Sequence, residues 1–253
     1  MIINKNNIYT YYKIILETRD RLEIIKYILK RIIGIRAKFD KDVILKQGDS
    51  FFNCGRIMEN CTVACSQFEQ EMASELKNLE EGTYIDVGAH IGKHTVEISK
   101  SLKGKGQVIS VEADPSTAEL LKKNIQMNNL KNVKIFNLVC VDKKGEVYFH
   151  KSDLHPATNS LDEIKNSHKL KLKSDTLDNL VGDKKDVKLI KIDVEGAEEK
   201  VLRGAIKILK NNLPKIIFEA WDNKNLLKVK SVLDPLGYKI RKIDEYNYLA
   251  SKI

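Results

Sequence analysis

Residues Asp86 to Gly92 read Asp-Val-Gly-Ala-His-Ile-Gly, and a carboxylate, Glu112, follows at the end of the next apolar run. Glycines at 88 and 92 permit backbone angles closed to other residues and let a ligand approach the chain closely. The helical pattern that begins near Ile91 points its free N–H groups at the same spot. Glu112 closes Gly106-Gln-Val-Ile-Ser-Val-Glu, where its two oxygens could accept hydrogen bonds from a ribose diol. A turn of this kind paired with a distal acid is chemistry for seating a nucleoside-bearing cofactor. Two further acids, Asp193 and Glu195, follow the apolar run Leu189-Ile-Lys-Ile and could handle a proton at the same place.

A dinucleotide is disfavoured, because its fingerprint needs glycine where this chain has His90 and Lys93. Asp86 would repel a phosphate and attract an ammonium. The ligand that fits is S-adenosylmethionine, which brings an ammonium and a ribose diol and carries no phosphate. The expected cofactor-binding residues are Asp86, Gly88, Ala89, His90, Ile91, Gly92, Thr95, Glu112 and Ala113, with Leu138 and Val139 as an apolar wall for the adenine. His90 is expected to act through its backbone, although its ring could instead face an acceptor or fill space. Thr95, one turn into the helix, could touch the cofactor or only pack.

Three blocks occur in order: Asp86-Val-Gly-Ala-His-Ile-Gly92, Val111-Glu-Ala-Asp-Pro115 and Leu189-Ile-Lys-Ile-Asp-Val-Glu-Gly-Ala-Glu198. With them the chain from about Ser66 to about Tyr248 resembles the FkbM-type S-adenosylmethionine-dependent methyltransferases. The third block is the most specific, and His90 stands where Asn is more usual. The resemblance implies methyl transfer to a hydroxyl oxygen on a sugar, a lipid-linked glycan or another small molecule. It covers Asp193 and Glu195 as the residues that would take the acceptor's proton or orient it, while Glu195 could instead cap the next helix. Asn159 and Ser160 resemble a family loop block that would touch the acceptor.

Other chemistries fit less well. Asp193 with Asp222 and Asn223 resembles the magnesium set of catechol-type O-methyltransferases, but Asp222-Asn223 also reads as the opening of a helix over Lys224–Leu236, and no metal is expected. Cys54, Cys61, Cys65 and Cys140 match no zinc spacing and read as ordinary thiols. His150, His155 and His168 lie in or near a polar stretch without defined spacing, and of these His155 is the candidate base. The Asn-Pro-Pro-Tyr type segment of amino-group methylation is replaced by Asp193-Val-Glu-Gly, which argues against base N-methylation. RNA or protein methylation, or a cofactor-binding pseudo-enzyme, are the alternative functions.

The positioning elements alternate from Tyr84 onward, as in a parallel sheet covered on both faces. The expected fold is α/β, a Rossmann-like class I methyltransferase: a mostly parallel seven-stranded sheet, an antiparallel closing pair and helices on both faces. Strands are expected at Tyr84–Val87, Gln107–Val111, Val133–Val141, Lys188–Ile192 and Lys215–Trp221, with Tyr238–Ile243 and Tyr246–Ala250 as the closing pair. Helices are expected at Gly92–Leu102, from Asp114-Pro115 to about Asn129, at Ala197–Leu209 and at Lys224–Leu236. Gly145–His150 reads as an extra strand and Lys151–Lys173 as a loop over the cleft. Right-handed crossovers then bring Asp86, Glu112, Asp193 and Glu219 to one carboxyl edge.

The chain has 253 residues, 42% of them hydrophobic, enough for one large domain over 66–253 and an N-terminal extension over 1–65. Its formal charge is +9, and residues 1–66 hold 12 basic against 7 acidic side chains, leaving 32 against 28 elsewhere. Within that quarter, Tyr12 to Ile35 reads as a basic amphipathic helix, packed on its own domain or resting on an anionic membrane. With no signal-peptide pattern and no long apolar run, the expected location is the cytoplasm, possible membrane-peripheral contact included. Nucleic acid is not an expected partner, since neither an aromatic ribonucleoprotein block nor a finger spacing accompanies the charge. The expected acceptor is a small molecule or glycan; the oligomeric state is not legible in the sequence.

Overall fold

In a computed structural model that describes residues 5–32, 38–152, 161 and 167–252, the chain opens with α1 (Lys5–Glu17), α2 (Arg21–Ile32), the hairpin β1 (Ile44–Gln47) and β2 (Ser50–Asn53), α3 (Met58–Ala64) and α4 (Gln70–Glu75). The alternating part follows as β3 (Gly82–Val87), α5 (Lys93–Ser101), β4 (Gly106–Glu112), α6 (Pro115–Met127), β5 (Val133–Asn137), β6 (Val139–Cys140), β7 (Gly145–Ser152) and β8 (Ser167–Asp175). The chain continues through α7 (Leu177–Val181), β9 (Val187–Ile192), α8 (Glu198–Arg203), α9 (Ile206–Asn212), β10 (Lys215–Glu219), α10 (Asn223–Leu233), β11 (Lys239–Lys242) and β12 (Asn247–Ser251).

Seven strands form one sheet in the order β11-β12-β10-β9-β3-β4-β5. The strands from β10 to β5 run parallel, and β12 pairs antiparallel with both β10 and β11. This is the α/β fold the alternation implies. Side chains alternate across a strand, so the sheet buries apolar residues on both faces. Ile85, Val87, Ile109, Val111, Ile190 and Ile192 pack against α7, α8, α9 and α10. Tyr84, Val108, Leu189 and Ile217 pack on the other side with Ile98 of α5 and Met72 of α4.

On that second face the same period places three polar residues in a row. Asp86 is in register with Ser110 on one side and with Lys191 on the other. All three are buried. The N-terminus of α6 forms as its sequence implies: Asp114 accepts from the backbone N–H groups of Ser116 at 2.7 Å and Thr117 at 3.1 Å, with Pro115 in the first turn.

Four expectations are corrected. The strand expected over Val133–Val141 ends at Asn137, whose Nδ2 donates to the carbonyls of Glu112 and Ala113; β6 then leaves the main sheet and pairs with β8. The loop expected over Lys151–Lys173 is in part strand, because β7 runs to Ser152 and pairs antiparallel with β8, Phe149 opposite Leu170. His168 lies on β8, and His155, Asn159 and Ser160 fall outside the described residues. The helix expected over Ala197–Leu209 is two helices that meet at Gly204, where a Cβ would lie 2.3 Å from the carbonyl oxygen of Val141.

The single helix expected from Tyr12 is likewise two, α1 and α2. Between them the Thr18 hydroxyl donates to the Ile44 carbonyl, and Asp20 accepts from the Ile44 N–H, so bonds to β1 replace helical ones. The N-terminal elements do not stand apart from the larger sheet. Ile14, Ile24, Leu45 and Phe52 share one core with Ala89, Ile91, Val96, Leu121 and Ile125. Asn124 of α6 ties them further, its side chain accepting from the Asn53 N–H at 2.6 Å and donating to the Asn53 and Ile91 carbonyls.

Candidate active site

The floor of the site is the polar row. Thr95 Oγ1 donates to Asp86 Oδ2 at 2.6 Å and shares a hydrogen bond with Ser110 Oγ at 2.9 Å. Lys191 Nζ lies 3.7 Å from Asp86 Oδ1 and 3.1 Å from Asp193 Oδ2. Burial alone would lower the pKa of Lys191, but Asp193 and then Asp86 raise it well above the ordinary lysine value. Burial would raise Asp193, and Lys191 turns that into a fall below the usual carboxylate range. One buried cation therefore neutralises the ends of two adjacent strands.

The loop after β3 sits directly above. Gly88 has φ +78, and a Cβ there would fall 1.7 Å from the Asp193 carbonyl oxygen, so only glycine lets β3 and β9 come this close. The N–H groups of Gly88 and Ala89 both donate to the Val111 carbonyl. His90, at φ +50, donates its own N–H to Glu112 Oε2 at 2.8 Å, while Asp114 donates to Glu112 Oε1 at 2.9 Å. Burial pushes the Glu112 pKa up to about 7, against the pull of those two N–H groups. Both ring nitrogens of His90 are sealed from solvent without a hydrogen-bond partner among the described residues. Burial takes that ring down to about 4, so it is a neutral imidazole at physiological pH.

The opposite wall is acidic. Glu195 takes the left-handed conformation at φ +53 and does not cap the helix after it, whose N-cap is Ala197 with no side-chain bond; Glu198 Oε1 instead accepts from the N–H groups of Val194 and Gly196 in the turn before the helix. Asp193, Glu195 and Glu219 bring one carboxylate oxygen each within 4.8 Å of one another, an oxygen set that could also hold a cation. Burial, then Asp193 and Glu198, push Glu195 up to about 8. Burial, then Asp193 and Glu195, push Glu219 up to about 9, and it shares a hydrogen bond with Asp193. Trp221 Nε1 donates to Glu219 Oε2 at 2.8 Å, and its ring stacks on Tyr246 at 4.8 Å between centroids. Asp222 caps α10 by accepting from the Asn225 N–H at 2.7 Å, the helix-opening role open to it in the sequence.

A cavity of about 640 Å³ joins these parts. Gly88, Ala89, His90, Glu112, Ala113, Leu138, Val139, Asp193 and Glu195 line it. Asp86, Ile91, Gly92 and Thr95 do not: Asp86 and Thr95 lie beneath the lining as its support, Ile91 is in the core shared with the N-terminal elements, and Gly92 starts α5. Sequence reasoning missed Lys191, His94 and the pair Trp221 and Tyr246, all of which line the cavity. His94 bonds Glu69 at 2.9 Å and Glu97 at 3.0 Å; burial opposes its charge, but the two carboxylates raise its pKa above the ordinary value. A lysine inside the apolar run Leu189-Ile-Lys-Ile, where a buried strand leaves a charge in need of a partner, was the available signal for Lys191.

The donor set suits a cationic nucleoside. Glu112 offers unused lone pairs to a diol, Leu138 and Val139 are apolar, and carboxylates outnumber cations around the lining. This strand order, the glycine-bearing turn after β3 and the acid after β4 define a Rossmann-like class I methyltransferase. A family model described as the methyltransferase FkbM domain matches residues 86–248, and the chain belongs to that family, whose cofactor is S-adenosylmethionine.

Two curated relatives carry the name probable cobalt-precorrin-6B C(15)-methyltransferase (decarboxylating). The one from Sulfolobus acidocaldarius is 40% identical over 52 residues, 21% of this chain and 27% of that protein. The one from Sulfurisphaera tokodaii is 27% identical over 168 residues, 66% of this chain and 67% of that protein. Among solved structures, an FkbM methyltransferase from Methylobacillus flagellatus aligns with TM-score 0.52 at 15% identity, over 97% of this chain and 59% of its own, a likeness of fold.

Proposed function

We propose that this methyltransferase acts on a hydroxyl oxygen of an uncharged sugar, glycan or other small acceptor, with Glu195 as the base that takes the hydroxyl proton. The observation that carries this reading is the carboxylate triplet Asp193, Glu195 and Glu219 on the cavity wall, in which Asp193 is held ionised by Lys191 while Glu195 sits at about 8. A base with a pKa near the working pH transfers protons well. S-Adenosylmethionine, when bound, supplies a methyl group on a positively charged sulfur. Glu112 would hold the ribose diol, Ala89, His90, Leu138 and Val139 would enclose the adenosine, and the neutral ring of His90, its nitrogens turned away from solvent, would help keep water out. Asp193 and Glu219 would orient the acceptor hydroxyl toward Glu195.

The rim favours a neutral acceptor. Glu59, Glu71, Asp244 and Glu245 also line the cavity, and they would repel a phosphodiester or a carboxylate. The stacked Trp221 and Tyr246 offer an apolar face of the kind on which a sugar ring rests. The test is methyl transfer from labelled cofactor to a panel of neutral glycosides, sugar phosphates, tetrapyrroles and bulk RNA. The reading expects label on oxygen in neutral acceptors, and a rate about 10²–10⁴ lower in Glu195→Gln at unchanged cofactor affinity. Label on carbon or nitrogen, or in RNA alone, would sink it.

A further inference from the structure

We propose that the outer face of α1 and α2 is a docking surface for an anionic lipid bilayer. Among the described residues, eleven large hydrophobic side chains are exposed, and seven of them lie on these two helices. They are Tyr9, Tyr12 and Leu16 on α1, and Leu22, Ile25, Leu29 and Ile32 on α2. The spacings, three and four residues in turn on α1 and three, four and three on α2, put each set on a single helical stripe. The stripes are not the faces that hold the helices down, because Ile14 and Ile24 are fully buried in the shared core with Tyr11, Ile15, Tyr27 and Ile28 against it. Each helix is therefore apolar on two sides, and its own domain covers only one.

Charge selects the occupant. Residues 5–32 carry seven basic and three acidic side chains. All three acids bond the domain: Glu17 accepts from the Ser66 N–H, Asp20 from the Ile44 N–H and the buried Glu23 from the Asp40 N–H, while Asp20 also pairs with Lys41 and Glu23 with Lys26. On α2, the helical angle sets Arg21 on one flank of the Leu22, Ile25, Leu29 and Ile32 stripe and Lys26 and Lys30 on the other. The two lysines pair at 3.2 Å with Glu23 and Asp40, pairs open to solvent at the lysine end, of the kind worth little and open to exchange for lipid phosphate. A protein partner matched to this face would need its own apolar stripe between acidic flanks, whereas an anionic bilayer offers that combination anywhere on its surface. Tyr9 and Tyr12 are of the type that settles at headgroup level. Docking here would also hold the cavity close to the bilayer, since α1 touches α3, whose Glu59, Thr62 and Val63 line the cavity.

The experiment is co-sedimentation of the full chain with sucrose-loaded vesicles of phosphatidylcholine alone and of phosphatidylcholine with phosphatidylglycerol, alongside analytical ultracentrifugation without lipid. Binding to the mixed vesicles, weak on the neutral ones and falling with added salt, is expected. Leu22→Glu/Leu29→Glu should lower it about tenfold or more, and Lys26→Gln/Lys30→Gln about fivefold per charge removed. Leu22 and Leu29 are 73% and 57% exposed, so the leucine variant should keep its melting temperature and its affinity for S-adenosylhomocysteine. Absence of binding to both vesicles, or equal binding by wild type and the leucine variant, overturns the proposal. So does a stable dimer that the leucine variant dissociates, which would make this face a contact between copies of the chain.

Discussion

Replacing Lys191 by Met keeps most of the side-chain volume and removes only the buried charge. Its Nζ lies 3.1 Å from Asp193 and 3.7 Å from Asp86, and the lysine and Asp86 are almost completely buried. The substitution leaves two carboxylates on adjacent strands without their cation. Breaking a buried pair in this way costs about 3–5 kcal/mol, most of it from the orphaned charge. At about 2–4 °C per kcal/mol for a domain of this size, the melting temperature should fall by roughly 10 °C.

The pH dependence separates this cause from a packing defect. In the wild type Asp193 is depressed, so its contribution is present above the unfolded carboxylate value and is lost as pH falls through the folded one. In the variant, burial without a cation raises the carboxylate, so stability is lost as pH rises. The gap between the two proteins should therefore widen from pH 5 to pH 8, by about 1.4 kcal/mol for each pKa unit separating them. Urea unfolding at several pH values reads it, and Lys191→Met/Asp193→Asn should recover part of the loss. A gap under 1 kcal/mol, or one that is flat with pH, would refute the argument that Lys191 neutralises both strands.

Gly88→Ala should abolish the native fold or cost more than about 4 kcal/mol, because the added Cβ meets the Asp193 backbone at 1.7 Å; Gly237→Ala, in the left-handed region at φ +81 with only the Lys252 side chain within 4 Å, should cost only about 1–2 kcal/mol. Thermal melts of both variants make the comparison. Thr95→Val removes the hydroxyl shared by Asp86 and Ser110 and should cost about 1–3 kcal/mol, with Thr95→Ser close to wild type in the same denaturation assay. Glu195 and Glu219 are raised to about 8 and about 9, above their unfolded values, so the cofactor-free protein should lose stability as pH rises from 6 to 9. Carboxyl ¹³C titration should find Glu195 near 8; a value below 5 would remove it as a base poised for neutral pH.

Much of this architecture is written in local patterns. β3, β4, β9 and β10 are buried apolar runs ending at Asp86-Val87, Glu112, Ile192 and Glu219, and their ends, bounded by glycine or acid, give the sheet edge and the glycine-bearing loop directly. The break at Asn137 was not legible, because Phe136 to Val141 stays largely apolar and only the tertiary bonds of the Asn137 amide end the strand. β8 was hidden by its charge: Lys169, Lys171 and Lys173 alternate with Leu170 and Leu172, a strand period in a stretch that reads as polar. Asp86 was read as a ligand-facing acid on charge alone. The register that turns it toward Lys191, beneath the cavity lining, exists only once β3 and β9 are paired. Trp221 and Tyr246 are far apart in the chain's logic, one after β10 and one before β12, and the antiparallel closure of those strands brings the rings together.

The proposed cofactor seat at Glu112 is tested most directly by calorimetric titration with S-adenosylhomocysteine. With Glu112 at about 7 in the cofactor-free protein and its ionised form needed to accept from a diol, affinity should be micromolar above pH 7 and weaken about tenfold per unit below it. Glu112→Gln should bind about tenfold to a hundredfold more weakly and lose that pH dependence. Folded wild-type protein that releases no heat, or a Glu112→Gln variant that binds as the wild type does at every pH, would contradict the account.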